Sequence, residues 1–266
     1  QAFGRYDASQ VTQAWHDHPR RSPPQVEALI ARTWERKCAE AKEKGVLLYN
    51  GELARLLRCQ ASPASLHLEL GPGCYRDFVG TNLHNAAAVA AYGDDCLGNP
   101  CGVSSNVITA DGFLLLGRRN DRVAYHPGYL HPFGGALEAD DRAAQRFDIF
   151  SAARRELCEE LRLAPHEIRT LTCIGLIRDR EILQPEFLFD AVLTLSLSDV
   201  RARFDPLAQH QEHSRLESCF DLSEEVIPFL SRSKPVAPIG EGGLLLHGRH
   251  EWGMDWYETT CLVLYG

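Results

Sequence analysis

The stretch that most limits what this chain can fold into runs from Phe133-Gly134-Gly135-Ala136-Leu137-Glu138, across a polar segment, to Ser151-Ala152-Ala153-Arg154-Arg155-Glu156-Leu157-Cys158-Glu159-Glu160-Leu161. Between Ile149 and Leu163, apolar side chains recur every three or four positions at Ile149, Phe150, Ala153, Leu157 and Leu161, the stripe of an amphipathic helix. Asp148 or Ser151 starts it. Glu156, Glu159 and Glu160 stand at i, i+3 and i+4, so they project from a neighbouring face within reach of one another. Three carboxylates so placed repel unless a cation sits among them. A solvated acidic helix face is one reading. The other is a metal site: Arg155 adds a cation beside the acidic face, and the Gly134-Gly135 pair lets the backbone approach a ligand closely. Hard oxygen ligands suit Mg²⁺, with Mn²⁺ as a substitute, and such ions take substrate phosphate as well.

These residues resemble the Nudix box, whose pattern is Gly, five residues, Glu, seven residues, then Arg-Glu-apolar-x-Glu-Glu-x-Gly-apolar. The Arg155-Glu156-Leu157-Cys158-Glu159-Glu160 half matches in full. The resemblance implies an α/β/α sandwich with a mixed sheet and an enzyme that cleaves nucleoside diphosphates linked to another group. Glu156, Glu159 and Glu160 would hold the metal, Arg155 would orient them, and the Gly134-Gly135 backbone would contact metal or phosphate. Three departures stand out. The Gly135-to-Glu156 spacing exceeds the pattern by six residues, an insertion expected within Asp140 to Ile149. The first Glu of the box has no unique counterpart: Asp141 takes its place counted from Gly135, and Phe147 counted back from Arg155. The closing Gly is Arg162, so helix termination is expected to fall to Pro165.

A second resemblance is carried by Tyr75-Arg76-Asp77-Phe78-Val79-Gly80-Thr81-Asn82, with Trp34-Glu35-Arg36, Gly134-Gly135 with Glu138, and Pro185-Glu186-Phe187. It is to the UDP-glucose diphosphatase branch of the Nudix proteins and covers most of the chain. It implies Mg²⁺-dependent hydrolysis of UDP-glucose or UDP-galactose to UMP and the sugar 1-phosphate. Arg76 and Glu138, with Gly134 and Gly135, are the substrate-binding candidates.

At 266 residues and 44% hydrophobic, the chain fills one large domain or two small ones. Its formal net charge of −8 argues against a nucleic-acid or anionic-membrane surface. No apolar run is long enough for a transmembrane helix and no signal pattern opens the chain, so the cytoplasm is the expected location. Nine scattered cysteines fit free thiols in a reducing compartment better than a zinc site built on Cys96 and Cys101. The pairs His210/His213 and His247/His250 are weak metal candidates, while His126 and His131 flank the glycine turn within possible reach of substrate.

Residues 1–100 form an accessory α/β region and 101–266 the hydrolase domain, with the boundary at Gly98-Asn99-Pro100-Cys101-Gly102. In the first part, Ser22 with Pro23 at the next position caps a helix ending near Gly45. Val46 to Tyr49 and Leu66 to Leu70 are strands, and Asn85 to Tyr92 a small helix. In the second, a hairpin turns at Ala110-Asp111-Gly112, strands follow at 171–177, 186–197 and 216–222, Ser223 caps a helix to Leu230, and a helix lies within Gly242 to Leu264. The loop Asp140 to Asp148 is expected to be a polar surface excursion near the phosphate site. A general base among Glu181, Glu186, Glu212 or a box Glu stays open, as do an ADP-sugar, a dinucleotide or more remotely a prenyl diphosphate as substrate, and a noncatalytic nucleotide- or protein-binding role.

Overall fold

The computed structural model describes residues 2–45, 47–138, 141–143, 146–208 and 211–266. Two short strands, β1 (Ala2–Tyr6) and β2 (Val11–Trp15), precede the long helix α1 (Pro24–Glu43). Ser22 does not cap α1. Pro23 holds the cap place without a side-chain bond and the Ser22 hydroxyl turns to Glu27. Leu47 to Tyr49 are not a strand, and Leu47 and Tyr49 are exposed, while Val46 lies outside the described residues. The strand is instead β3 (Glu52–Ala61), paired with β4 (Leu66–Cys74), which runs on through Gly71-Pro72-Gly73. With β2 parallel to β4 these make a three-stranded sheet. Then come α2 (Tyr75–Phe78), a π turn at Val79–Leu83, and α3 (His84–Ala90).

The second part begins with β5 (Gly102–Ile108) and β6 (Phe113–Arg119), joined at Gly112 with φ 78. There follow β7 (Leu130–His131), β8 (Phe133–Ala136), a minor hairpin β9 (Arg142–Ala143) with β10 (Arg146–Phe147), and α4 (Ile149–Leu161). The chain continues through β11 (Ile168–Arg178), β12 (Pro185–Leu193), α5 (Leu197–Arg203) and β13 (His213–Phe220). It closes with α6 (Val226–Arg232), α7 (Pro238–Glu251) and α8 (Met254–Tyr265). β12 stops short of the expected Leu197 because Ser196 and Asp199 form a capping box that starts α5. α6 starts at Val226 with no side-chain cap, so Ser223 is not its cap. Gly253, at φ 91, divides the expected C-terminal helix into two.

The main sheet has the order β1-β11-β12-β5-β6-β13, with β8 added on β5 and β7 on β6; β12 and β5 are parallel and the other pairs antiparallel. α4 packs on one face, against β5, β8 and β11, and α7 on the other, against β5, β11 and β12. This is an α/β/α sandwich on a mixed sheet. The N-terminal α/β part packs directly on it: β1 is an edge strand of the main sheet, and Ala54, Leu66, Leu68 and Leu70 share one core cluster with Val103, Ile149, Phe150 and Phe189. The whole stripe read from the sequence is buried, and each of its large side chains contributes roughly 1.5–3 kcal/mol of apolar burial. That seam fixes which way the glutamates of α4 point. Among the described residues no helix is long and apolar enough to cross a membrane, and all nine cysteines are unbridged.

Candidate active site

α4 is delivered by Asp148, whose carboxylate accepts from the Phe150 N–H at 2.9 Å, and it ends at Arg162, which adopts the left-handed conformation at φ 54, ψ 43. The helix therefore stops on the residue that replaces glycine, three positions before Pro165, and the Leu163 N–H closes on the Cys158 carbonyl at 3.2 Å. Proline is not the terminator.

Arg155 is the centre of the acidic face. Its Nε and Nη2 grip both oxygens of Asp141, each at 2.9 Å, and its Nη1 reaches Glu156 Oε1 at 2.8 Å and Glu159 Oε2 at 3.4 Å. Asp141 is buried and also accepts from the Glu138 N–H at 2.8 Å. Of the two positions that counting along the chain offers, Asp141 is the one that meets Arg155; Phe147 is a core residue stacked on Trp15 with ring centroids 4.9 Å apart. Of the expected polar excursion, Asp141 is buried instead of exposed; Arg142–Ala143 pairs antiparallel with Arg146–Phe147, and Phe147 is buried as well. Asp140 and Gln145, and the side chains of Arg142 and Arg146, lie outside the described residues.

The glycines are needed for sterics. A Cβ at Gly135 would stand 2.2 Å from Glu156 Oε1, and one at Gly134 would stand 1.9 Å from the Val103 carbonyl. At Gly134 the neighbour is backbone, so β8 can lie on β5 only without a side chain there; at Gly135 a side chain would displace the Glu156 carboxylate. The Gly134 N–H donates to Glu160 Oε2 at 2.9 Å. The other oxygen, Glu160 Oε1, is buried without a hydrogen-bond donor; His213 Nδ1 lies 3.1 Å away but is not aligned for a bond. The His213 ring fits because Gly117 has no Cβ, and Phe133 packs against it edge-on. Gln211 ties this segment to the end of α4, donating to the Glu160 carbonyl at 2.8 Å and accepting from the His213 N–H at 3.0 Å.

Burial raises the affinity of Glu156 for its proton, and the charges of Glu160 and Glu159 add to the effect against the opposing pull of Arg155, so its pKa is pushed up to about 8. Glu159 is mostly exposed. The structure thus brings Glu156 and Glu159 together on Arg155 and turns Glu160 inward to Gly134 and His213. Among the described residues no three His, Cys, Asp or Glu side chains converge as a ready metal cage. Glu138 bridges to Leu53 of the N-terminal part. Arg76 lies on α2, its N–H bonded to Asn50 Oδ1 and its charge acting on Glu27. The Tyr75 to Asn82 run fastens the N-terminal part: Asp77 pairs with Arg20, Thr81 bonds the Asp77 carbonyl, and Asn82 bonds the Ile182 carbonyl.

Three later carboxylates differ in placement. Glu186 is buried, accepts from Ser104 Oγ at 2.6 Å, and is pushed up to about 8 by burial. Since Val103 packs in the core beneath α4, strand alternation puts Ser104 and Glu186 on the α7 face. Glu181 is exposed, 3.9 Å from His126 Nε2, and Glu212, next to His213, pairs with Arg119 at 3.0 Å. His131 is buried against the Pro132 carbonyl, and desolvation holds its pKa well below the usual value. His126 stacks on Tyr129. A groove of about 620 Å³ runs between the N-terminal residues Asn82 to Ala88 and Tyr125, His126, Glu181 and Ile182.

No family model matches the sequence. The chain is 26% identical over 259 residues to the uridine diphosphate glucose pyrophosphatase NUDT22 of Mus musculus, covering 88% of this chain and 83% of that protein. The Homo sapiens protein of the same name is 26% identical over 261 residues, covering 87% and 84%. Among solved structures, a Nudix-family hydrolase from Clostridium perfringens is 14% identical, with 61% of this chain and 99% of that chain covered and a TM-score of 0.36. Similarity along most of the chain to these uridine diphosphate glucose pyrophosphatases stands beside the Arg155-centred carboxylate helix and its glycine strand, the features in which the chain resembles the Nudix hydrolases.

Proposed function

We propose that the chain is a metal-dependent hydrolase of nucleoside diphosphate-linked compounds, with a UDP-sugar as substrate and UMP and a sugar 1-phosphate as products. The observation that carries this is the Arg155 clamp, which gathers Asp141, Glu156 and Glu159 while Glu160 is held at Gly134. Similarity to UDP-glucose pyrophosphatases over most of the chain supports the substrate class.

The donors fit a hard divalent cation. All are oxygens, Glu160 Oε1 is buried with no donor, and Glu156 retains its proton to about pH 8 beside two other carboxylates. Mg²⁺, or Mn²⁺ in its place, would be held by Glu156, Glu159, Glu160 and the Gly135 backbone. When bound, such an ion offsets charge on the diphosphate oxygens and activates water. Arg155 keeps two glutamates aligned and Asp141 keeps Arg155 in place. Of the loop carboxylates we assign the general base to Glu212, which adjoins His213 beside Glu160, over Glu186, which faces α7. Residues 1–100, apart from β1, which joins the main sheet, act as the accessory region and 101–266 as the hydrolase domain, with Arg76, Glu138 and the groove at Asn82 to Ala88 serving the nucleoside or sugar. Nine free cysteines favour the cytoplasm.

A panel of UDP-, ADP- and GDP-sugars and dinucleotides with Mg²⁺, scored for released monophosphate, tests this reading. UDP-sugars should lead the ranking. No release from any of them would mean a noncatalytic module, and a different leader would move the substrate class.

A further inference from the structure

On the far side of β6 and β13 from His213 lies a second groove, of about 450 Å³, which none of the α4 glutamates lines. Arg118 and Arg215 are register partners on the two strands, so their side chains share a face with Glu217, two residues further along, and that face is turned toward α6. Arg118 is rigidly placed. It donates to Glu217 Oε1 at 2.8 Å and to the carbonyls of Ser233, Pro235 and Gly128 at 2.6, 2.9 and 3.1 Å. Arg215 shares the same Glu217 oxygen at 3.0 Å.

Lys234 is flanked by Ser233 and Pro235, whose carbonyls both bond Arg118, so its backbone is pinned to the groove wall while its side chain is exposed. Arg232, also exposed, sits over the Phe229 ring at 5.3 Å. Arg118, Arg215, Arg232 and Lys234 line this groove against two acidic residues, Asp121 and Glu217, in a chain whose acidic residues outnumber its basic ones 36 to 28; Arg119 also borders it, but its side chain is paired with Glu212. Glu217 is already occupied by two arginines, which leaves Arg232 and Lys234 to meet something from outside. The lining has no aromatic ring, so nothing there would stack on a base, and the volume is that of a small-ligand site.

We propose that this groove binds a multiply charged phosphate anion, recognised through its phosphate oxygens. Arg232 and Lys234 would make the direct contacts, over a floor whose positive field is set by Arg118 and Arg215.

The test titrates tripolyphosphate calorimetrically into the full chain in EDTA, so that the metal-requiring carboxylate site stays silent. Saturable binding is expected, weakened about tenfold or more in the double variant Arg232→Gln/Lys234→Gln and unchanged in Glu160→Gln. Both substituted side chains are exposed, so the thermal midpoint should not move. Absence of binding by the wild type, or equal affinity in the double variant, overturns the proposal. A second arm assigns the source of the phosphate, using phosphatidylcholine vesicles with and without a phosphoinositide. Sedimentation of the wild type, but not the double variant, with the phosphoinositide vesicles assigns a lipid headgroup. Tripolyphosphate binding without sedimentation assigns a soluble anion.

Discussion

Two buried charge clusters sit on opposite faces of the main sheet, and they are built differently. Beneath α7, His247 lies between Asp190 and Asp221, its Nδ1 3.0 Å from one carboxylate and its Nε2 2.9 Å from the other, while Asn106 donates to the remaining oxygen of Asp190 at 3.0 Å. Burial alone would lower the pKa of His247, but the two carboxylates outweigh it and push the ring up to about 10. One cation meets two anions and the ring nitrogens are both engaged. Beneath α4, a single guanidinium faces Asp141, Glu156 and Glu159, Glu160 keeps an oxygen without a donor, and Glu156 is held away from its charged form. In the first cluster the charges are matched, and the unpartnered atom is the neutral Asn106 Oδ1; in the second it is a carboxylate oxygen, which is costlier to keep without a donor and fits our proposal that a cation binds there.

The largest expected effect is on turnover. Glu159→Gln or Glu160→Gln should cut hydrolysis by about a hundredfold or more, the scale of losing one preorganised electrostatic group, with the far-UV spectrum unchanged. Near-normal activity in both would dissolve the distinction between the clusters. Next comes stability. His247→Leu leaves the buried Asp190 and the half-buried Asp221 without their cation and should cost about 3 kcal/mol by denaturant titration, while the activity of the folded fraction persists. The sign with pH follows from a folded pKa near 10 above the ordinary 6.5: the stabilisation is complete below pH 6.5 and fades as pH rises through about 10. An unfolding free energy that did not fall over that window, relative to His247→Leu, would count against an imidazolium clip. The smallest effect is at the helix end: Arg162→Gly relieves a left-handed side-chain residue and should stabilise the chain by about 1 kcal/mol, less any loss of the surface pair with Asp205. A destabilised glycine variant would mean that this pair outweighs the backbone strain.

What the sequence made legible was periodic and local. The stripe of α4, the spacing of its three glutamates, the glycine approach and the Ala110-Asp111-Gly112 hairpin all come from patterns contained within one element or turn. Asp141 stayed ambiguous because an insertion breaks any count along the chain, and only the folded hairpin decides which end of it meets Arg155. The count from Gly135 was the usable signal. His213 had none: flagged only with His210, which lies outside the described residues, it reaches Glu160 through the pairing of β13 with β6 and the missing Cβ of Gly117. β1 and β3 were missed for a related reason. Ala2 to Tyr6 sets Phe3 and Gly4 where alternation would need a polar and an apolar residue, and Glu52 to Ala61 carries Arg55 and Arg58, with the first buried by its tertiary setting and not by its own propensity.

The comparison of the two clusters rests on one claim, that the α4 face is incomplete without a divalent cation. Free Mn²⁺, followed by its electron paramagnetic resonance signal during titration of the metal-free chain, reads this directly. The wild type should deplete the free-ion signal saturably, Glu156→Gln should weaken that binding about tenfold or more, and His247→Leu should leave it unchanged. Equal Mn²⁺ binding by the wild type and Glu156→Gln, or none by either, would contradict the account.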